Sequence, residues 1–157
     1  MLTLESTTPR LEWSAFQEIA PEFSSGMAAI TRALKNSGLE PELRELVKIR
    51  ASQINGCAFC VQYHLNDARK LSIPAAKLDL LAAWRDAGIY SPRELAALEW
   101  TERVTLLAQQ PIEDHVFATA SAHFSQRELT WLTVAISQIN SWNRIAAPFR
   151  FTPPVPA

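Results

Sequence analysis

Apolar side chains along this chain recur mostly at steps of three and four residues, and sustained apolar–polar alternation punctuated by Asn-Gly turns is not found. The pattern predicts an all-α fold. One stripe, made by Leu43, Leu46, Val47, Ala51 and Ile54, starts after Pro41, a residue suited to a first helical turn. That helix should end near Asn55-Gly56. A second should begin around Cys57 and run to Leu71, where Ser72-Ile73-Pro74 interrupts it. Ser91-Pro92-Arg93-Glu94 and Ser125-Gln126-Arg127-Glu128 each set a capping serine three residues before a glutamate, so two further helices open there. The later one carries a long apolar series through Leu129, Leu132, Ile136 and Ile139. Segments 24–34, 74–84 and 112–124 are also helical by pattern, although Gly26 weakens the first. The Pro-rich tail 151–157 reads as an extended arm.

At 157 residues the chain has the size of one domain. Its division is expected as an N-terminal segment 1–20, a helical domain 21–150 and the tail 151–157. Lys and Arg number 15 against 16 Asp and Glu, so no basic excess exists to gather phosphates, and nucleic acid is not an expected partner. Residues 1–10 lack a basic stretch followed by an apolar run, and no segment approaches the ~18 apolar residues of a membrane span. The expectation is a soluble, cytoplasmic protein.

Only two cysteines occur, Cys57 and Cys60, and in a chain without a secretion signal that spacing points to redox or metal chemistry. Positions 57, 60 and 64 are related by steps of three and four, which on one helix stacks Cys57, Cys60 and His64 along a single face. Cysteines at i and i+3 have Cα atoms about 5 Å apart, within the roughly 4.4–6.8 Å that a disulfide tolerates. The first helical turn also presents free N–H groups that favour thiolate over thiol, so both cysteines should be unusually acidic. His64, one turn beyond Cys60, can take its proton or stabilise its thiolate. Glu45, on the preceding helix, could supply protons to this site if the hairpin folds back at Asn55-Gly56.

Other readings stay open at this point. A lone CxxC is also half of a zinc site, or a structural pair. A zinc ion would need ligands such as His115 and His123, which show no paired spacing and read as ordinary surface or core histidines. The five tryptophans read as core anchors rather than as a cofactor box. No cofactor and no metal enter the expected chemistry.

The run from Glu42 to His64 resembles the core of the carboxymuconolactone decarboxylase superfamily, specifically its alkylhydroperoxidase AhpD-like branch. That branch carries a glutamate, eleven residues, a cysteine, two residues, a second cysteine, three residues and a histidine, and Glu45, Cys57, Cys60 and His64 fall on those places. Trp84-Arg85, the stretch 91–98 and the stretch 139–144 also look like later parts of the family. The resemblance implies an all-helical homo-oligomer, commonly a trimer or hexamer, that reduces organic hydroperoxides or hydrogen peroxide. A dithiol reductant, a lipoyl protein or a thioredoxin-like one, would restore it. It further implies that Cys60 is the peroxidatic nucleophile and Cys57 the resolving thiol, with His64 transferring protons and Glu45 beginning the relay. The helical register alone would serve either cysteine as nucleophile.

Two positions depart from the family pattern. Phe59 stands where some family peroxidases have a further histidine, which shortens the relay. Ser72 stands where the helix after His64 often ends on glycine. The superfamily's decarboxylases act on a lactone acid without a CxxC pair, so the retained cysteines favour the redox branch over decarboxylation.

Overall fold

The computed structural model describes residues 8–157. Helices account for the architecture, and no strand occurs among the described residues: α1 (Trp13–Ile19), α2 (Pro21–Lys35), α3 (Pro41–Ile54), α4 (Ala58–Lys70), α5 (Ala75–Asp79), α6 (Trp84–Ala87), α7 (Pro92–Thr105), α8 (Asp114–His123) and α9 (Gln126–Phe149). Both serine–glutamate signatures form reciprocal capping boxes, at Ser91 and Glu94 for α7 and at Ser125 and Glu128 for α9. Each satisfies two N–H groups that a helix start leaves orphaned.

Helix α3 is the centre of the molecule. Leu43 and Val47 join a core with Trp100 of α7, Val116 of α8 and Leu132 of α9. Leu46 and Ile49 join a second with Ala68, Leu81, Trp84 and Leu98. Ala51 joins a third with both cysteines, Phe16, Ile139 and Phe151. A helix enclosed on nearly every side buries its polar residues too, and Glu45, Lys48 and Ser52 of α3 are all buried. Ions in that position must find partners nearby.

Two expectations about elements are corrected. Segment 74–84 is not one helix: α5 gives way to a 3-10 turn at Leu81–Ala83 before α6, and Gly88 closes the series in the left-handed region at φ 68°. The buried residues Leu78, Leu81 and Trp84 repeat every third position, the spacing that lines up on a 3-10 helix. Within 1–20, where no helix was expected, α1 places Phe16 in the core. Seven residues carry too little periodicity to be read, and such a helix depends on its packing. Helix α2 also begins earlier than its apolar pattern, at Pro21. The tail from Phe151 is non-helical, with Phe151 buried.

Candidate active site

The α3–α4 hairpin builds the centre of the site. Helix α3 ends at Ile54 with Asn55 as its C-cap, after which Gly56 turns left-handed at φ 65° and Cys57 N–H donates back to the Ser52 carbonyl over 3.0 Å. That pair of features is a glycine C-terminal cap, and it delivers Cys57 directly to the N-cap of α4. Cys57 is thus the cap residue rather than a member of the helix, and its Sγ accepts the Cys60 N–H at 3.3 Å. The two cysteines are joined as a disulfide, with Cα atoms 5.3 Å apart. Asn55 donates to Asn140 and Asn143 of α9, while Asn143 donates to Ser52, so the turn is latched to the longest helix.

A cleft of about 460 Å³ opens beside this turn. Cys60, His64 and Glu45 all line it, whereas Cys57 is fully buried and does not. Sequence register made the two thiols equivalent. Both are buried, and the cleft separates them, because only Cys60 lines it.

One turn beyond Cys60, His64 Nδ1 lies 2.7 Å from Glu45 Oε2 across the hairpin. Lys48 Nζ sits 3.6 Å from the other carboxylate oxygen. Burial by itself would raise the Glu45 carboxyl, but the hydrogen bond to His64 and the nearby His64, Lys48 and Arg44 charges together hold it below the ordinary carboxylate range. An ionised Glu45 accepts from Nδ1–H, and a neutral imidazole held in that way carries its lone pair on Nε2. Nε2 makes no hydrogen bond among the described residues. Burial pushes the Lys48 ammonium below its usual range against the pull of Glu45.

Several lining residues had no functional signal in the sequence. Phe59, the departure from the family relay, stacks on Trp13 with ring centroids 5.4 Å apart, and Trp13 meets Trp142 at 5.1 Å. Phe59 therefore forms part of an apolar wall of the cleft. Trp84 and Trp100 are core anchors as expected, but Trp13 and Trp142 are half-buried cleft residues. Burial pushes the Tyr63 hydroxyl up, so it keeps its proton at the cleft edge. Lys48 and Asp67 stand three residues after Glu45 and His64, a spacing that could have exposed them.

Glu45, His64 and Asp67 bring their ligand-type atoms within 4.8 Å of one another, a set that includes neither cysteine. Its charge is already countered by Lys48 on Glu45 and by Lys70 on Asp67 at 2.8 Å. His115 is exposed and pairs with Glu113 at 3.2 Å, and His123 is exposed at the end of α8.

Residues 21–103 match the carboxymuconolactone decarboxylase family. The chain belongs to that family. It is 40% identical over 132 residues to the uncharacterized protein YdfG of Bacillus subtilis, covering 84% of this chain and 90% of that one. A crystal structure from Agrobacterium tumefaciens, of a protein of unknown function provisionally named as the antioxidant defence protein AhpD, superposes with a TM-score of 0.89 at 38% identity. The likeness covers 95% of this chain and all of that one. Within the family the chain stands in the AhpD-like branch. The debrominase Bmp8 shares the fold, with a TM-score of 0.75 at 14% identity over 87% of this chain and 74% of its own. A shared fold does not fix the chemistry, and the reaction has to be argued from the site. No helix among the described residues is long and apolar enough to cross a membrane.

Proposed function

We propose that this chain is a thiol peroxidase that reduces hydroperoxides through a Cys57–Cys60 dithiol/disulfide cycle. The observation that carries the reading is the placement of Cys60 alone on a cleft that it shares with the His64–Glu45 pair, above a cysteine already within bonding reach. In the reduced protein His64 Nε2 takes the Cys60 proton, and the Glu45 carboxylate stabilises the imidazolium. The Cys60 thiolate attacks the terminal peroxide oxygen and the O–O bond breaks. The alkoxide leaves with the proton from His64, giving an alcohol and a Cys60 sulfenic acid. Cys57 then attacks Cys60 Sγ, the S–O bond breaks, and hydroxide departs as water with the Cys57 proton.

Two electrons from an external dithiol, a lipoyl protein or a thioredoxin-like one, close the cycle. One of its thiolates enters by the cleft, attacks Cys60 and expels Cys57, whose departing charge is favoured by the Cys60 N–H and the α4 N-terminus. The dithiol's second thiolate then attacks its own sulfur in the mixed disulfide, expels Cys60 as the thiolate and leaves as the cyclic or intramolecular disulfide. A cytoplasmic setting would supply such dithiols. Relatives named for AhpD-type antioxidant defence support the reaction class. The same reading includes a homo-oligomer, a trimer or hexamer. It is supported by an apolar groove of about 840 Å³ between α8 and α9, lined by Trp100, Phe117 and Leu129 and separate from the cysteines.

Two variants test the assignment. Cys60→Ser should abolish hydroperoxide reduction. Cys57→Ser should react once, leave a sulfenic acid on Cys60 that a dimedone-type reagent traps, and fail to turn over with a dithiol. Reversal of those two outcomes would make Cys57 the nucleophile, and full activity in both would remove the cysteines from the chemistry.

A further inference from the structure

The charges around the cleft are not evenly matched. On its acidic side Glu45 is engaged by His64 at 2.7 Å and by Lys48 at 3.6 Å, and Asp67 by Lys70 at 2.8 Å. Arg32 and Lys35 of α2 also line the cleft, and their side chains make no ion pair or hydrogen bond among the described residues. Every carboxylate of the cleft has a cation, and two cations have no carboxylate. Their place in the last turn of α2 suits the helix dipole, but any exposed position in that turn would do so, and these two face the cleft.

The wall is also polarised along its length. Helix α2 contributes lining residues from Ser24 to Lys35, a run that rises about 16 Å at 1.5 Å per residue. Near its start Phe23 packs edge-on against Trp142, which continues through Trp13 to Phe59. At its far end stand Arg32 and Lys35. One end of the cleft therefore offers aromatic surface beside Cys60, and the other offers uncompensated positive charge.

We infer that the cleft selects organic hydroperoxides that carry a carboxylate, the apolar body lying against Trp13, Phe59 and Trp142 and the anion meeting Arg32 and Lys35. The inference rests on the peroxidase reading and narrows it from hydroperoxides in general to anionic amphipathic ones. Hydrogen peroxide would use neither end of the cleft and would be a poor substrate by comparison. Rim ion pairs in partly solvated surroundings are individually weak, so two of them together amount to about five- to tenfold in discrimination, less at high salt.

The test compares para-carboxy cumene hydroperoxide with its methyl ester, a pair that differs by one charge, with a small dithiol as reductant. Wild-type protein should show a kcat/KM about five- to tenfold higher for the acid at low ionic strength. That ratio should fall towards one in Arg32→Gln/Lys35→Gln and persist in the charge-conserving Arg32→Lys/Lys35→Arg. Equal values for acid and ester in the wild type, or an undiminished ratio in the glutamine variant, would overturn the inference. If neither peroxide is reduced, the peroxidase reading fails, and calorimetric binding of unreactive para-isopropylbenzoate and its methyl ester decides the recognition separately. Preference for the acid that disappears in the glutamine variant upholds the anion site, and equal or absent binding of the two refutes it.

Discussion

Glu45 and His64 are an ion-capable pair that neither residue could support alone. A carboxylate on a helix enclosed by three cores would ordinarily be raised by desolvation, and the 2.7 Å contact with His64 is what holds it down. A carboxyl held below its ordinary value contributes stability at pH above the ordinary carboxylate range and loses it as pH falls through the folded-state value. The unfolding free energy of wild type should therefore exceed that of Glu45→Gln near neutrality, and the gap should close as the pH is taken below about 4. A pH-independent gap in chemical denaturation would remove the ionised pair from the account. The same substitution takes from His64 the acceptor that orients it. It should slow the reaction of Cys60 with hydroperoxide by on the order of 100-fold, the usual worth of positioned proton transfer, with partial recovery at higher pH as the thiol ionises unaided.

Helix α4 is bounded by two left-handed residues of opposite fitness. At its start Gly56 adopts φ 65°, and a Cβ there would meet nothing within 4 Å, so the demand for glycine is purely one of backbone conformation. At its end Ser72 adopts φ 59°, with Ser72 N–H donating to Arg69 and Ile73 N–H to Ala68. The departure from the family's glycine therefore leaves the cap geometry in place on a less suitable residue. Ser72→Gly should raise stability by about 0.5–1 kcal/mol, and Gly56→Ala should lower it by about 1 kcal/mol, both read from denaturant midpoints. Gly56→Ala should also depress the peroxide reaction, since Gly56 sets where Cys57 enters the helix. A neutral Gly56→Ala with full activity would show that the turn tolerates another geometry.

For the molecule as a whole, the apolar groove beside α8 and α9, which neither cysteine lines, is the surface left unfinished. Phe117 is 55% exposed beside the apolar groove between α8 and α9, in a chain with 48% hydrophobic residues. Exposed apolar area of that kind is typically covered by another protein surface, and closed symmetric assembly is the commonest way for identical chains to cover it. Light scattering at micromolar concentration should give a mass near three or six chains. A monomer mass would sink that expectation without touching the cysteine chemistry.

Helix starts and the redox register were legible from sequence because they are local. The serine–glutamate boxes at 91–94 and 125–128 satisfy groups within one turn, and the three-residue spacing of Cys57 and Cys60 suffices to bring their Cα atoms to 5.3 Å, although Cys57 caps the helix instead of joining the face of Cys60 and His64. Glu45 could be named from its family spacing, but its contact with His64 needed the hairpin to close. What separated the two buried cysteines was access to the cleft, and a cleft is a property of neighbours: α1, α2 and α9, remote in sequence, form the one that reaches Cys60 and stops short of Cys57. The same holds for Trp13 and Trp142, ordinary apolar positions in one dimension and a cleft wall in three. Local patterns specify which elements form, because their hydrogen bonds close within a few residues. Which charges are matched, and which face is left open, depends on long-range packing that brings residues about a hundred positions apart into contact.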